Sequence, residues 1–206
     1  MFIGGKWVDG KSYMEVRSPY DNSLVGEVPL ATPEDVNKAI EAAKKAFPII
    51  SSLPAHKRSE ILEKTSDIIH AQREEFAKSI SEESCKPIRE ARVEVARSFQ
   101  TFKFAAEEAK RIYGETIPMD AAIGGEGRFA YVERIPLGVI ACITPFNFPL
   151  NLVSHKVGPA IAAGNSVVLK PASATPITSL KLARGLEESG VPSGAFNVIT
   201  GSGGTI

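Results

Sequence analysis

A carboxamide and an ammonium group each follow an apolar segment, one helix length apart in the chain. Asn147 lies in residues 143–149 (ITPFNFP), and Lys170 ends residues 167–170 (VVLK) just before Pro171. Polar side chains at the carboxyl ends of parallel strands line the ligand crevice of an open α/β sheet. A preorganised amide N–H stabilises a developing oxyanion, and losing one such donor costs on the order of 3 kcal/mol. The two residues predict a site at one sheet edge.

Each of these residues also has a structural interpretation. An asparagine between prolines commonly closes a turn, and a strand-end lysine is explained equally well as a solvated edge residue or as a ligand of ribose hydroxyls or phosphate. Ser173 follows shortly after, and no acidic residue stands near Lys170. A nucleotide fold that selects the unphosphorylated ribose usually presents a carboxylate to the 2′-hydroxyl. A 2′-phosphate would therefore meet no repulsion here.

The composition is that of an ordinary globular protein, with 43% hydrophobic and 23% charged residues among 206. The 24 basic and 24 acidic side chains leave no net charge, which gives no footprint for nucleic acid or an anionic membrane. The apolar runs are too short for a membrane span, and the first residues lack the order of a signal peptide. Cys85 and Cys142 share no metal-type spacing. The sequence predicts a cytoplasmic protein that binds a small molecule or its own copy, without nucleic-acid, membrane or metal partners.

The N-terminal part is predicted to be a small β-structure followed by helices. Short strands of an edge meander are indicated over residues 2–8 and 23–28. Thr32, Pro33 and Asp35 then supply an N-cap hydroxyl, a first-position proline and an acidic first turn. Helices are predicted to begin at this cap and near Pro54, and to cover residues 73–84 and 88–113, with Gly114 ending the last.

Residues 114–137 are predicted to form a β-hairpin arm. A glycine-rich turn at Gly124, Gly125 and Gly127 precedes residues 128–134, in which apolar and charged side chains alternate. The exposed edge of such an arm can add to another sheet. The alternative is a solvated hairpin packed on its own domain, and the pattern alone favours neither.

The last seventy residues have the most regular pattern. Strands are predicted over residues 139–143, 166–170 and 196–200, with helices over 150–163 and 176–189 between them. Strands that are buried on both faces and separated by helices indicate a parallel βαβαβ unit with right-handed crossovers. Residues 201–206 (GSGGTI) match a phosphate-binding loop poorly, and we favour a tight turn there, close to an adenine ring. The sequence thus predicts an α/β fold that contains half of a dinucleotide-binding domain.

Four ordered segments of the chain resemble the aldehyde dehydrogenase superfamily. They are residues 143–150 (ITPFNFPL), 155–165 (HKVGPAIAAGN), 168–172 (VLKPA) and 190–198 (GVPSGAFNV). Weaker similarity runs through the whole chain, including the helix start at Lys86 and the arm. The chain is most similar to the branch that acts on lactaldehyde, glyceraldehyde and related short aldehydes.

The resemblance implies the oxidation of a short-chain aldehyde to a carboxylic acid through a thioester, with NADP or NAD as cofactor. Asn147 corresponds to the family's oxyanion-stabilising asparagine. The residues that correspond to cofactor contacts are Ile143, Thr144, Pro145 and Phe146 at the strand end, Lys170 at the adenosine ribose, Ser173, and Gly203 and Gly204 in the turn beside the adenine. Ser173 replaces the glutamate common in NAD-preferring members, which favours NADP.

The resemblance also implies an architecture and a limit. Residues 1–113 correspond to the N-terminal part of the cofactor-binding domain, 114–137 to an arm that joins subunits into a homo-oligomer, and 138–206 to the βαβαβ part of a Rossmann-like domain. The family's nucleophilic cysteine, general-base glutamate and pyrophosphate-binding helix come later in the sequence. We therefore expect this chain to be the N-terminal part of an oxidoreductase and to be inactive in isolation. The alternative is a non-catalytic oligomerisation or interaction module, and a related acyl-phosphate reductase ranks below both.

Overall fold

The computed structural model describes residues 1–204. The strands are β1 (Phe2–Ile3), β2 (Lys6–Trp7), β3 (Tyr13–Arg17), β4 (Leu24–Pro29), β5 (Glu115–Ile117), β6 (Ala130–Val132), β7 (Val139–Ile143), β8 (Ser166–Lys170) and β9 (Phe196–Val198). The helices are α1 (Pro33–Ser52), α2 (Ala55–Ala71), α3 (Arg73–Ser84), α4 (Ile88–Ala109), α5 (Asn151–Ala162) and α6 (Ile177–Glu188). No helix within residues 1–204 is long and apolar enough to cross a membrane.

The main sheet has the strand order β2-β1-β9-β8-β7. Strands β7, β8 and β9 are parallel, as the sequence predicts, and α5 and α6 form the crossovers between them. The β1–β2 hairpin adds antiparallel to β9, with Phe2 opposite Val198. The prediction of one edge meander is wrong, because β3 and β4 form a separate two-stranded sheet. In that second hairpin Val16 and Val28 are buried. The edge of β9 that does not face β8 is paired with β1.

The core lies on both faces of β8, whose residues 166–169 are all buried. Strand β7 departs from the predicted burial on both faces: only Cys142 is buried, and Ile143 is 69% exposed. The reason is its place in the sheet, since β7 pairs with β8 on one side and no other strand within residues 1–204 covers its second edge.

The helical layer begins with a capping box. The Thr32 hydroxyl accepts a hydrogen bond from the Asp35 N–H, and the Asp35 carboxylate accepts one from the Thr32 N–H, so both orphan donors are satisfied. Helix α3 has the predicted bounds, but α4 ends at Ala109 rather than at Tyr113. Ala109 is the last buried residue of its apolar stripe, and residues 110–114 are exposed. The helix therefore has no packing face beyond this point.

The arm forms as an antiparallel ladder of β5 and β6, with Thr116 opposite Tyr131. The second strand is shorter than the predicted 128–134. Gly114 is required where the two strands close, because a Cβ there would lie 2.0 Å from the carbonyl oxygen of Val132. Large apolar side chains project from the arm into solvent, with Phe129 78% exposed.

Candidate functional site

The loops that carry the two predicted site residues leave the same edge of the parallel sheet. Ile143 lies opposite Lys170 at the ends of β7 and β8. One residue further, the Thr144 N–H donates a 3.2 Å hydrogen bond to the Lys170 carbonyl. Thr144 is buried by this contact, whereas Pro145 and Phe146 are exposed. The structure thus places the Asn147 loop and Lys170 at adjacent strand ends, the arrangement that the sequence predicts.

Asn147 is exposed, and its backbone is anchored from a distant part of the chain. The Lys86 ammonium donates a 2.8 Å hydrogen bond to the Asn147 carbonyl. The same ammonium lies 4.1 Å from the centroid of the Phe148 ring, close enough for a cation–π interaction. Lys86 therefore holds two consecutive residues of the loop.

Glu94 of helix α4 completes this anchor. Its side chain is 0% exposed and forms an ion pair with Lys86 through Oε2. The other oxygen, Oε1, accepts hydrogen bonds from the Leu150 N–H at 2.9 Å and the Asn151 N–H at 3.2 Å. Since α5 has no side-chain cap of its own, a carboxylate here satisfies orphan donors and complements the helix dipole.

Sequence reasoning missed both anchor residues. The sequence pattern places Lys86 only at a helix start, and it does not distinguish Glu94 from its neighbours. Nothing in local spacing connects them to Asn147, because the contact spans 61 positions for Lys86. One signal was available: a glutamate within the buried stripe of an amphipathic helix requires a partner.

The second crossover helix, α6, is capped in the same manner by Glu83. Its carboxylate accepts hydrogen bonds from the Ile177 N–H at 2.9 Å and the Thr178 N–H at 3.1 Å. Burial raises the pKa of Glu83 to about 7, although the hydrogen bonds from Thr178 and Ile177 act in the opposite direction. At the N-terminus of each crossover helix, a glutamate from another helix thus occupies the position where helix N-termini commonly bind phosphate.

Glu83 should make the stability of the protein depend on pH. Its folded-state pKa exceeds the ordinary 4.5, so its contribution to the free energy of unfolding is complete below pH 4.5 and is lost as the pH rises through about 7. The loss amounts to as much as roughly 3 kcal/mol. Urea unfolding between pH 4.5 and 8 should show this slope, and Glu83→Gln should flatten it. Glu82→Gln, an exposed neighbour, should retain the slope; an unchanged slope in Glu83→Gln would refute the assignment.

The Lys170 ammonium has no acidic partner among the described residues 1–204. Within that range its one hydrogen bond is to the Pro171 carbonyl, at 3.2 Å. Burial alone lowers the pKa of Lys170, and no carboxylate among residues 1–204 acts on it. The ammonium borders an apolar hollow of about 390 Å³ on the sheet face, lined otherwise by Val36, Ile40, Val139, Ala141, Ile143, Val168 and Ile199. A cation beside an apolar hollow fits the ribose and base of a nucleotide.

The Ser173 hydroxyl donates a 2.7 Å hydrogen bond to the Gly201 carbonyl. This contact ties the loop after β8 to the turn after β9, where Gly203 and Gly204 are exposed. Ser173, Gly203 and Gly204 therefore lie near the Lys170 end of the sheet edge. Thr205 and Ile206, which complete the glycine-rich segment, lie outside the described residues.

The two thiols differ in environment. Cys142 is buried in β7, where burial raises its pKa to about 11, so it behaves as the small hydrophobic residue that the sequence predicts. Cys85 is exposed and ends α3 with a positive φ of 57°. A group of three side chains suited to bind a metal does not occur within residues 1–204.

Comparison with known proteins identifies the family. The model of the aldehyde dehydrogenase family matches residues 7–206, and the chain therefore belongs to this family of NAD(P)-dependent oxidoreductases. The family and the Rossmann-like α/β fold that the resemblance implied are confirmed.

Individual relatives match over nearly the whole or the whole of this chain. It is 47% identical to the 3-sulfolactaldehyde dehydrogenase of Priestia aryabhattai, over 100% of this chain and 43% of that protein. It is 40% identical to the lactaldehyde dehydrogenase of Methanocaldococcus jannaschii, over 98% and 43%. The NADP-dependent glyceraldehyde-3-phosphate dehydrogenase from Bacillus halodurans, complexed with NADP, superimposes with a TM-score of 0.97 at 36% identity, over 100% and 44%. The chain thus spans under half the length of these relatives.

Proposed function

We propose that this chain is the N-terminal part of an NAD(P)-dependent dehydrogenase that oxidises a short-chain aldehyde to a carboxylic acid through a thioester. One observation carries the proposal: the Asn147 carboxamide is exposed at the carboxyl edge of the parallel sheet, and the backbone carbonyl of Asn147 is bound by Lys86. Because the relatives are more than twice as long, we assign the nucleophilic thiol and the general base to a segment beyond these 206 residues.

In the proposed reaction, this chain supplies the group that stabilises the oxyanion and the contacts for the adenosine end of the cofactor. Attack of a thiolate on the aldehyde carbon turns the carbonyl oxygen into an oxyanion, and the Asn147 N–H donates to that oxygen as the charge develops. NAD(P), when bound, accepts the hydride that leaves the tetrahedral carbon. Lys170 and the adjacent hollow hold the adenosine end. The Cys142 thiol is unsuited as the nucleophile because it is buried and its pKa is raised to about 11.

Two preparations test this proposal. The isolated chain, mixed with NADP or NAD and a panel of short aldehydes, should form no reduced cofactor. A fusion of this chain with the remaining C-terminal part of the P. aryabhattai 3-sulfolactaldehyde dehydrogenase, called the fusion enzyme below, should form it. Turnover by the isolated chain at ordinary enzymatic rates, or no turnover by a folded fusion enzyme, would contradict the proposal.

We propose NADP as the preferred cofactor because Ser173 places no negative charge beside the Lys170 loop. Ser173→Glu should lower the NADP-to-NAD ratio of kcat/KM in the fusion enzyme by at least about tenfold, since a carboxylate accepts from a 2′-hydroxyl and repels a 2′-phosphate. Ser173→Ala is the control, because it also loses the hydrogen bond to Gly201 but adds no charge. An unchanged ratio in Ser173→Glu would remove Ser173 from the determinants of preference.

We further propose that the aldehyde carries an anionic group. The Arg97 guanidinium lies 5.7 Å from the centroid of the ring of Phe148, the residue that follows Asn147 in the sequence. Arg97 forms no salt bridge within residues 1–204. The sulfonate and phosphate in two relatives' substrate names are anions, and a guanidinium binds such groups through two parallel hydrogen bonds.

This assignment predicts a substrate-selective defect. Arg97→Gln in the fusion enzyme should raise KM for 3-sulfolactaldehyde by about tenfold or more, as expected for the loss of a charged hydrogen bond, and should leave KM for the neutral lactaldehyde unchanged. Arg92→Gln is the control on the same helix, because Arg92 is paired with Glu74. Equal effects of Arg97→Gln on both aldehydes would contradict an anion contact.

We also propose that residues 1–113 and 138–206 belong to one cofactor-binding domain and that residues 114–137 form an arm that joins copies of the chain. The supporting observation is the exposed apolar surface of the arm, which includes Phe129 and Leu137. Such surface is typical of an interface. The alternative, a non-catalytic interaction module, uses the same arm, and the inactivity of the fusion enzyme would favour it.

A further inference from the structure

The direction of the Asn147 carboxamide is set by its backbone. Within residues 1–204, no other group forms a hydrogen bond with this side chain. The side chain is also exposed. The placement of the amide N–H therefore depends on how firmly the loop between β7 and α5 is held.

The loop is held at two points. Before Asn147, the Thr144 N–H binds the Lys170 carbonyl at 3.2 Å. At Asn147 itself and after it, the Lys86–Glu94 pair supplies three hydrogen bonds. Lys86 binds the Asn147 carbonyl, and Glu94 binds the Leu150 and Asn151 N–H groups. The Phe148 ring also faces Arg97, and the Phe148 carbonyl accepts a hydrogen bond from the Leu152 N–H.

We infer that the Lys86–Glu94 pair is a positioning device that holds the Asn147 backbone where its carboxamide can reach the reacting oxygen, an inference that rests on the proposed function of Asn147. The pair connects the proposed oxyanion donor to the turn that follows α3 and to α4. Lys86 and Glu94 are thus positioning residues, because they act through Asn147.

The pair has more links than helix capping requires. A single neutral side chain would cap α5, yet Glu94 uses one oxygen for two N–H groups and the second for Lys86. Buried ion pairs add little net stability relative to apolar residues of similar volume, and one of their known uses is to fix a specific geometry. The arrangement here fixes the Asn147 carbonyl to a buried carboxylate through a single ammonium.

The backbone at Lys86, from which the anchoring side chain extends, is itself held in place. Cys85 ends α3 in the left-handed conformation with a φ of 57°, and the Lys86 carbonyl accepts a 2.7 Å hydrogen bond from the Ser81 hydroxyl. The backbone of Lys86 is therefore set by α3 and its side chain by α4. Preorganisation of this kind matters because a misplacement of about 1 Å can cost on the order of 100-fold in rate.

The decisive variant is the double substitution Lys86→Met and Glu94→Gln. Glutamine keeps an acceptor for the Leu150 and Asn151 N–H groups, and methionine keeps apolar contact with Phe148. The tether to the Asn147 carbonyl is lost, together with the ion pair and the charge over the Phe148 ring. The matched control is Arg92→Met with Glu74→Gln, an exposed pair that also joins α3 and α4.

The first readout uses the 206-residue chain and no catalysis. NMR relaxation on the ¹⁵N-labelled chain should give Asn147 a backbone order parameter of about 0.85 in the unaltered chain and below about 0.6 in the double variant. Both values should stay high in α4 and in the control. A rigid Asn147 in a folded double variant would overturn the inference. If the double variant does not fold, Lys86→Met alone, which has no donor for the Asn147 carbonyl, is measured by the same criterion.

The second readout separates this inference from the proposed function. In the fusion enzyme the double variant should lower kcat by about 10- to 100-fold with KM little changed, as expected for a misplaced catalytic group. Lys86→Arg should restore most of the rate, because a guanidinium still donates to the carbonyl. Unaltered kcat despite a mobile Asn147 would overturn the inference. A fusion enzyme inactive in every form would contradict the proposed function, while the NMR result still decides whether the pair positions the loop.

Discussion

Replacing Asn147 by alanine in the fusion enzyme is expected to lower kcat by about 10²–10³-fold, with kcat/KM falling to a similar extent and KM changing little. The loss follows from charge that develops on the aldehyde oxygen only after thiolate attack. An amide N–H that is already in place stabilises this charge without reorganising, whereas water must reorient. Because the Asn147 side chain is exposed, its truncation removes no core contact.

Three controls make the result specific. Asn147→Asp keeps the size of the side chain but removes its N–H donors, so it should be at least as slow as alanine. Asn37→Ala removes an exposed carboxamide from α1 and should leave kcat unaltered. Thermal unfolding should show that Asn147→Ala is as stable as the unaltered protein. A kcat within roughly threefold of the unaltered enzyme would exclude Asn147 as the oxyanion donor.

The backbone elements that position the site were largely predictable from the sequence, because local signals agreed with tertiary packing. Gly164 before the apolar residues of β8 and Pro171 after them predict the observed bounds, Ser166–Lys170. The cap at Thr32 gave the start of α1. The end of α4 was predicted wrongly because helical residues continue past Ala109, while the surface on which they would pack does not.

The site was predictable only where its residues follow strands. Asn147 and Lys170 could be placed at one edge because parallel strands end together. The anchors Lys86 and Glu94 were not predicted, since a contact between distant helices leaves no periodic trace in the sequence. The exposure of β7 was missed for a related reason: an edge strand and a central strand have the same apolar pattern when helices cover much of both.

The glutamates also limit where the cofactor can bind. A Rossmann-like fold commonly holds a pyrophosphate at the N-terminus of a crossover helix. Here Glu94 occupies the N-terminus of α5 and Glu83 that of α6. A phosphate at either position would find the first N–H groups of the helix already bound by a buried glutamate, whose displacement is unfavourable. We therefore expect the proposed cofactor to meet the described sheet edge through its adenosine end, at Lys170 and the adjacent hollow, and to place its phosphates away from the N-termini of α5 and α6.

The arm is expected to decide the oligomeric state. Substituting Phe129, Tyr131 and Leu137 by serine should convert an oligomer of the chain into a monomer, raising the dissociation constant by about 100-fold or more, as expected when several apolar side chains leave an interface. Size-exclusion chromatography with light scattering over a concentration series measures this change. The aromatic rings of Phe129 and Tyr131 lie 6.2 Å apart, so they present one continuous patch on the arm.

Two further variants distinguish a specific interface from nonspecific hydrophobic association. Phe104→Ser removes an exposed aromatic residue of α4 and should leave the oligomer intact. Gly114→Val removes no apolar side chain but forces a Cβ toward the Val132 carbonyl, so it should open the β5–β6 ladder and weaken the oligomer. Association thus depends on both the side chains and the shape of the arm. A monomeric unaltered chain, or an oligomer that survives the triple substitution, would show that residues 114–137 do not join the copies.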